Sequence, residues 1–127
     1  PGVMIAVDFE KAFDSINWTF LWKTLRSFGF GPSFIKCVQT FYCEICRCVM
    51  NNGFSSGYFK PERGVRQGDP LSAYLFILVI EVLAIQLRNR QDVKGTFIEN
   101  NEFKLSIFAD DLTVVFLENQ ISFDNLL

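Results

Sequence analysis

The 127-residue sequence contains no histidine and only four cysteines. Cys43 and Cys46 have the spacing of half a zinc site, and the other two cysteines are Cys37 and Cys48. No second cysteine pair at ligand spacing and no histidine is present to complete that site. We therefore expect buried thiols in a reducing compartment rather than a zinc site or a disulfide scaffold.

Charged residues are also scarce, at 20% of the chain, whereas 50% is hydrophobic and 16% is aromatic. The net charge of −2 counts against a free-standing nucleic-acid binder, because phosphate backbones are held mainly by Lys and Arg. So little polar surface favours a chain whose apolar surface contacts neighbouring segments. Residues 1–7 begin in an apolar run and residues 121–127 carry no terminating signal, so we expect one domain-sized excerpt of a longer protein.

One long hydrophobic run, at residues 71–87, is only just long enough for a membrane span. It contains Glu81 and Gln86, and Arg88 and Arg90 close it. Charged groups are costly in the hydrocarbon of a bilayer, so we predict a central core helix here and no membrane association.

Apolar spacing and turn residues predict a mixture of helices and strands without strict alternation. The predicted elements are a buried central strand at residues 3–7, helices at 18–28 and 32–42, strands at 45–50 and 54–60, a helix at 70–90, and strands at 96–98, 103–109 and 112–117. Asn51-Asn52-Gly53 and Asn100-Asn101 are the predicted turns, and Asp69 is a predicted helix cap. This order indicates an α+β fold, with an antiparallel sheet of three or more strands packed against two to three helices.

The adjacent acids Asp110 and Asp111 lie inside an otherwise mostly apolar stretch, residues 105–117. Successive side chains of a straight strand point to opposite faces, so both acids can serve one site only if the chain turns at that pair. Like charges this close are most easily explained by a neutralising cation, and hard oxygen ligands suit Mg²⁺ or Mn²⁺. An exposed hairpin turn without a metal explains the pair about equally well.

Asp8 strengthens the metal interpretation, because it ends a separate apolar strand. A further carboxylate beside the pair is what two metal ions about 4 Å apart need for in-line phosphoryl transfer. Spacing alone does not show that the two strands are neighbours.

Three segments carry distinctive motifs: residues 8–16 (DFEKAFDSI), 63–72 (RGVRQGDPLS) and 108–111 (FADD). Their order and spacing are similar to those of the core motifs of reverse transcriptases. The chain resembles the palm of reverse transcriptases from non-LTR (long interspersed) retrotransposons, and residues 20–29 and 104–119 extend that resemblance over nearly the whole length. Ala73 departs from the proline common in relatives, which concerns helix entry rather than chemistry.

The resemblance implies that Asp8, Asp110 and Asp111 are the catalytic and metal-binding acids, with the main-chain carbonyl of Phe9 as a further ligand. The cofactor it implies is a pair of Mg²⁺ ions, with Mn²⁺ as a possible substitute.

The resemblance also implies residues that contact the incoming nucleotide. Phe13 matches an aromatic that excludes a ribose 2′-hydroxyl by volume, although in a chain with fifteen Phe it would otherwise be an ordinary core residue. Gln67 and Gly68 match a nucleotide-facing loop, in which an amide bonds the substrate and glycine permits close approach. Arg63 and Arg66 add phosphate or template contacts in this interpretation, and a solvated loop face explains the arginines equally well.

The implied function is RNA-directed DNA polymerisation during retrotransposition, with an RNA template, a DNA primer and dNTPs as partners. The fingers and thumb would lie elsewhere in the parent chain, so we expect this segment alone to be inactive. An intracellular location follows, in the nucleus or a cytoplasmic ribonucleoprotein.

Two other functions remain open from the sequence. A viral RNA-dependent RNA polymerase palm is disfavoured, because Ala109 stands where such enzymes usually carry glycine and Phe13 blocks the sugar site. A non-catalytic remnant of a decayed element, kept as a binding module, is opposed by the intact acids but not excluded.

Overall fold

The computed structural model describes residues 2–117 and contains two structural units. The sheet unit is formed by Pro1–Ala12 and Phe76–Leu127, and the helix-pair unit by Phe13–Leu75. The elements are β1 (Gly2–Asp8), a 3-10 helix (Phe13–Ser15), α1 (Trp18–Ser27), α2 (Pro32–Cys43), β2 (Met50–Asn51), β3 (Phe54–Ser55), α3 (Pro70–Asn89), β4 (Thr96–Ile98), β5 (Asn101–Phe103), β6 (Leu105–Phe108) and β7 (Asp111–Leu117). The chain end at residues 121–127 lies outside the described residues.

A three-stranded antiparallel sheet with the order β1-β7-β6 lies at the centre of the sheet unit. Along β1, Val3, Ile5 and Val7 are half-buried while Met4 and Ala6 are exposed, because successive side chains of a strand point to opposite faces. The strand predicted ahead of Asp8 is therefore confirmed, but the prediction of a buried central strand is wrong, because β1 lies at one end of the described sheet and only one of its faces is covered.

The covered face of the sheet carries the core of this unit. Its buried side chains are Val93 and three alternate residues of β7: Leu112, Val114 and Phe116. Leu83 and Leu87 from α3 pack against this cluster, four residues apart and hence on one side of the helix. The α+β class and the helix-backed antiparallel sheet are confirmed.

The region between α3 and β7 differs in detail from the sequence prediction. The predicted strand at residues 103–109 is interrupted at Lys104, so that β5 pairs with β4 and β6 pairs with β7. The Lys104 ammonium donates to the carbonyl oxygens of Arg88 at 3.2 Å and Arg90 at 2.6 Å. This side chain thus satisfies carbonyls at the C-terminal end of α3, which have no partner within the helix.

In the helix-pair unit, local signals place both helices as predicted. The Asn17 side chain accepts a hydrogen bond from the Phe20 amide at 3.0 Å and caps α1, and Gly29 follows its end with a φ of 82°. Pro32 opens α2 at a first-turn position, where the proline lacks only an amide that would have no helical partner.

The hairpin between α2 and α3 turns where the sequence predicts, at Asn52 and Gly53, whose φ angles of 49° and 81° suit a tight hairpin turn. Its strands are shorter than expected, because β2 and β3 contain two residues each. An isolated bridge between Arg47 and Phe59 continues the pairing toward the base of the hairpin.

The long apolar helix α3 is less buried than predicted. Leu75, Phe76 and Ala84 are buried, but Tyr74 is 68% exposed and Ile77 is 53% exposed. The helix predicted as a central core helix is therefore only partly buried in this structure. By length and hydropathy alone α3 is the one helix among residues 2–117 that could cross a membrane.

The prediction of buried thiols is also wrong, because all four cysteines are exposed and free. On α2 the buried positions are Ile35, Val38 and Tyr42, which leaves Cys37 outside that stripe. Cys46 and Cys48 lie in the exposed approach to the hairpin, where no core is available to cover them.

Candidate active site

Asp8 and Asp111 lie directly opposite each other in the register of β1 and β7. Opposite residues of an antiparallel pair project from the same face, with Cβ atoms about 4.5–5.5 Å apart. Both acids are exposed, on the face away from the core cluster. The sequence predicted a carboxylate at the end of each strand, and the structure makes the two strands neighbours.

Asp110 lies in the tight turn that joins β6 to β7. Phe108 pairs with Asp111, which leaves Ala109 and Asp110 as the two loop residues. Ala109 has a φ of 53°, a conformation that favours glycine, and such a φ at the first loop residue alone is typical of a type II′ hairpin turn. The predicted turn is therefore present, shifted by one residue, so that Asp111 begins the strand instead of sharing the turn.

The donor set at this edge of the sheet consists of hard carboxylate oxygens, which suit a divalent cation. In the described part of the chain, no three Asp, Glu, Cys or His side chains form a group that could hold a metal ion by themselves. Mg²⁺ is commonly held by one or two carboxylates together with substrate phosphates and water, so the facing pair Asp8 and Asp111 fits such an ion. The metal-binding role of these acids and Asp110 stays a prediction.

Phe9 follows Asp8 and packs its side chain against the core cluster of the sheet unit. The phenyl ring of Phe9 thus packs into the core and does not face the acids. Any metal ligand from this residue would be its main-chain carbonyl oxygen, as the resemblance implies.

The predicted nucleotide-contacting residues Phe13, Arg66, Gln67 and Gly68 all belong to the helix-pair unit. Phe13 is half-buried, whereas the other three are exposed, and Gly68 has a φ of 83°. The Val65 amide donates to the Phe13 carbonyl oxygen at 2.8 Å, so the loop that carries these residues is bonded directly to the segment that carries Phe13.

Two hydrogen bonds that sequence reasoning did not identify hold this loop in place. The indole Nε1 of Trp18 donates to the carbonyl oxygen of Gly64 at 2.8 Å. The Gly64 amide in turn donates to the carbonyl oxygen of Ile16 at 2.8 Å. A separation of 46 residues between Trp18 and Gly64 leaves no local sequence signal from which this contact could be found.

The remaining charged residues of the motifs have structural or surface positions. Asp69 caps α3, because its Oδ1 accepts from the Leu71 amide at 2.9 Å, as predicted. Asp14 lies 3.9 Å from Arg47 in a partly exposed ion pair, and Arg63 is exposed.

Charge is divided unevenly between the two units. The helix-pair unit has seven Lys and Arg against four Asp and Glu, a net charge of +3. The sheet unit has five against ten, a net charge of −5, and the two together give the −2 of the whole chain. The low overall charge of the chain therefore conceals one basic unit and one acidic unit, and Asp8, Asp110 and Asp111 belong to the acidic one.

Comparison with known proteins identifies the family. The sequence profile described as reverse transcriptase (RNA-dependent DNA polymerase) matches residues 2–125. The retrovirus-related Pol polyprotein from the type-2 retrotransposable element R2DM of Drosophila melanogaster is 39% identical over 121 residues, which are 95% of this chain and 11% of that protein.

Two further relatives extend the comparison. An uncharacterized 149 kDa protein of transposon TX1 from Xenopus laevis is 35% identical over 87% of this chain and 8% of its own length. An uncharacterized mitochondrial protein of Arabidopsis thaliana is 42% identical over 54% of this chain and 61% of its own length.

The chain spans about a tenth of the length of the first two relatives. The resemblance to non-LTR retrotransposon reverse transcriptases is confirmed, and the chain belongs to the reverse transcriptase (RNA-dependent DNA polymerase) family.

Proposed function

We propose that this chain is the palm segment of an RNA-directed DNA polymerase that copies RNA into DNA during retrotransposition. The observation that carries the proposal is the opposition of Asp8 and Asp111 across β1 and β7, with Asp110 in the adjoining turn. Two carboxylates placed side by side on the open face of a sheet repel each other, and a bound cation would neutralise that repulsion. Family membership then favours a polymerase over other metal-dependent chemistry.

Asp8, Asp110 and Asp111 would hold the metal, with the Phe9 carbonyl as an additional ligand. When bound, two Mg²⁺ ions, or Mn²⁺ in their place, would lower the pKa of the primer 3′-hydroxyl and neutralise charge on the transferred phosphate and the leaving pyrophosphate. The protein needs no side-chain nucleophile for this reaction. Its own contribution is to hold the carboxylates on the rigid ends of paired strands, which limits their reorganisation during the reaction.

In the helix-pair unit, Phe13 would select the sugar and the loop would bind the nucleotide. A phenyl ring at this point leaves no volume for a 2′-hydroxyl, which favours dNTPs over rNTPs. The Gln67 amide can hydrogen-bond the substrate, the exposed backbone of Gly68 lets the substrate approach closely, and the Arg66 guanidinium can contact phosphate. The net charge of +3 on this unit supports a polyanionic substrate.

The protein would act as part of a longer polypeptide, on an RNA template with a DNA primer. Its small share of the length of its relatives supports fingers and thumb elsewhere in the parent chain. Without those segments template and primer lack a clamp, so residues 1–127 alone should polymerise poorly or not at all. We place the parent protein in the nucleus or in a cytoplasmic ribonucleoprotein.

RNA-templated primer extension by the parent polypeptide tests the proposal. The assay supplies Mg²⁺ and dNTPs to the wild-type protein, to Asp110→Asn and to Asp92→Asn, in which an exposed acid outside the site loses its charge in the same way. Synthesis by the wild type and Asp92→Asn, with loss in Asp110→Asn, is the expected result. A folded wild-type protein that extends no primer would favour a non-catalytic remnant or binding module.

A further inference from the structure

We infer that Trp18 is a positioning residue for the nucleotide-facing loop, residues 63–68. The inference rests on the proposed function and deepens it. Trp18 begins α1 and is otherwise explained as part of an amphipathic helix, yet its indole N–H reaches out of that helix to the Gly64 carbonyl oxygen at 2.8 Å.

Three hydrogen bonds join the loop to residues 13–18, the segment that leads into α1 and includes its first residue. The bond from Trp18 uses the carbonyl of Gly64, and the amide of Gly64 donates to Ile16 at 2.8 Å. The next amide, that of Val65, donates to Phe13 at 2.8 Å. The backbone of the loop and the segment that carries the sugar-selecting ring therefore form one hydrogen-bonded frame.

The contact at Gly64 leaves no room for adjustment. A Cβ atom at this position would lie 2.9 Å from both the Cα and the carbonyl oxygen of Asp14, and the φ of 91° is one that side chains rarely permit. Gly64 is buried. The loop therefore packs directly against the backbone of Asp14. Any side chain larger than that of glycine at position 64 would push the loop away from the segment that carries Phe13.

The Trp18 ring is itself held in place. Its centroid lies 5.8 Å from that of Tyr42, in a tilted arrangement typical of favourable aromatic pairs. The Tyr42 hydroxyl is 3.4 Å from the hydroxyl of Ser72, which is fully buried in the first turn of α3. Trp18 thus holds the loop at Gly64, and Tyr42 contacts Ser72, four residues after the end of the loop. Arg66, Gln67 and Gly68 lie between these two contacts and are exposed.

The loss of the indole donor should loosen nucleotide binding more than the chemical step. Without it the Gly64 carbonyl loses its partner and the exposed part of the loop can move away from the Phe13 segment. Because the ring of Phe13 and the amide of Gln67 would contact the same nucleotide, both dNTP affinity and discrimination against rNTPs should fall together. A merely structural role for Trp18 would lower stability without changing that discrimination.

The experiment compares Trp18→Phe with Trp22→Phe in the parent polypeptide. Trp22 is a matched control, since its ring also packs on Tyr42, at 6.0 Å, while no hydrogen bond from its indole is seen among residues 2–117. For each protein the measurements are kcat and KM for a single dNTP on an RNA template, the dNTP to rNTP selectivity, and the thermal unfolding midpoint.

Trp18→Phe should raise KM for dNTP by about three- to tenfold, the range that the net loss of one hydrogen bond allows. It should also lower the dNTP to rNTP selectivity, with kcat largely retained, whereas Trp22→Phe should leave both quantities near the wild-type values. Equal KM and selectivity in the two variants would overturn the inference alone. A wild-type protein with no RNA-templated synthesis would overturn the proposed function and the inference with it.

A glycine pair provides a second, independent comparison if Trp18→Phe impairs folding. Gly64→Ala must displace the loop from Asp14, whereas a Cβ atom at Gly57 meets open space. Gly64→Ala should reproduce the loss of selectivity, and Gly57→Ala should not. Unchanged selectivity in a folded Gly64→Ala protein would contradict the proposed coupling of the loop to Phe13.

Discussion

Asp8 and Asp111 face each other across β1 and β7, as the last residue of one strand and the first of the other. Directly opposed like charges destabilise an antiparallel pair. Both side chains lie on the exposed face, where phosphate oxygens and water can reach them. This relationship connects the fold to the proposed chemistry, because the pairing that completes the sheet also brings the carboxylates together.

Asp8→Asn should stabilise the protein when divalent cations are absent. The substitution removes repulsion worth about 0.2–1 kcal/mol and keeps the shape of the side chain. Added Mg²⁺ should then raise the unfolding midpoint of the wild type but not that of the variant, since only the wild type retains both opposed carboxylates. Thermal unfolding with and without chelator measures both effects, and Glu62→Gln, at an exposed loop position, serves as the control. Equal responses of wild type and Asp8→Asn to Mg²⁺ would contradict the cation-binding role.

Ala109→Gly should raise the free energy of unfolding by up to about 1 kcal/mol. A φ of 53° is unfavourable for alanine, and glycine relieves that strain at the cost of a more flexible unfolded chain. Ala6→Gly in the middle of β1 is the matched comparison and should instead destabilise by about 0.5–1 kcal/mol. Denaturant unfolding measures both, and destabilisation by Ala109→Gly equal to that by Ala6→Gly would show that the turn is not strained.

Lys104→Met should destabilise the protein by about 1–2 kcal/mol. The Lys104 side chain is 12% exposed, and its ammonium supplies donors to carbonyls at the negative end of the α3 dipole. Methionine keeps most of the hydrophobic stem and removes the donors. Lys94→Met, at an exposed position, should change the denaturation midpoint little. A similarly small change for Lys104→Met would mean that water satisfies the end of α3 equally well.

Phe13→Val in the active parent polypeptide should admit ribonucleotides. The smaller side chain opens the volume that a 2′-hydroxyl would occupy, so incorporation of rNTPs should rise relative to dNTPs. Competitive primer extension with matched dNTP and rNTP measures the ratio. Phe28→Val, at an exposed helix end in the same unit, should leave it unchanged. Unaltered discrimination in Phe13→Val would remove Phe13 from the nucleotide site.

Arg90→Gln should raise the pKa of Asp92. The hydrogen bonds that the Arg90 guanidinium donates, one of them at 3.1 Å, hold the pKa of that carboxyl below its ordinary value. Because the folded-state pKa is the lower one, the stabilisation from this pair is present above the unfolded-state pKa and is lost as pH falls through the folded value. An NMR titration of the Asp92 carboxyl measures the pKa, with Arg88→Gln as the control. The same pKa in Arg90→Gln and wild type would show that the pair does not form in solution.

Local signals account for the parts of the fold that the sequence predicts well. Asn17 before an apolar helical pattern, Pro32 at a first turn and Asn52-Gly53 in a hairpin each act within a few residues of themselves. The acids could be found for a related reason, since charges at the ends of apolar strands stand out from their surroundings.

Long-range pairing explains what the sequence does not reveal. The bond from Trp18 to Gly64 and the register that opposes Asp8 to Asp111 depend on how distant segments meet. Whether a side chain is buried likewise depends on which segments pack around it, and the residue type alone does not decide it. Tyr74 and the cysteines are apolar by type, but no described segment covers them.

The most direct test of the central claim is the rate of single-nucleotide addition by the parent polypeptide, measured against Mg²⁺ concentration for the wild type and Asp8→Asn. If the opposed carboxylates hold the metal, the variant should lose on the order of a hundredfold or more of the rate at every Mg²⁺ concentration, the scale expected when a group that stabilises transition-state charge is removed. An Asp8→Asn rate equal to that of the wild type, with the same Mg²⁺ dependence, would contradict the account.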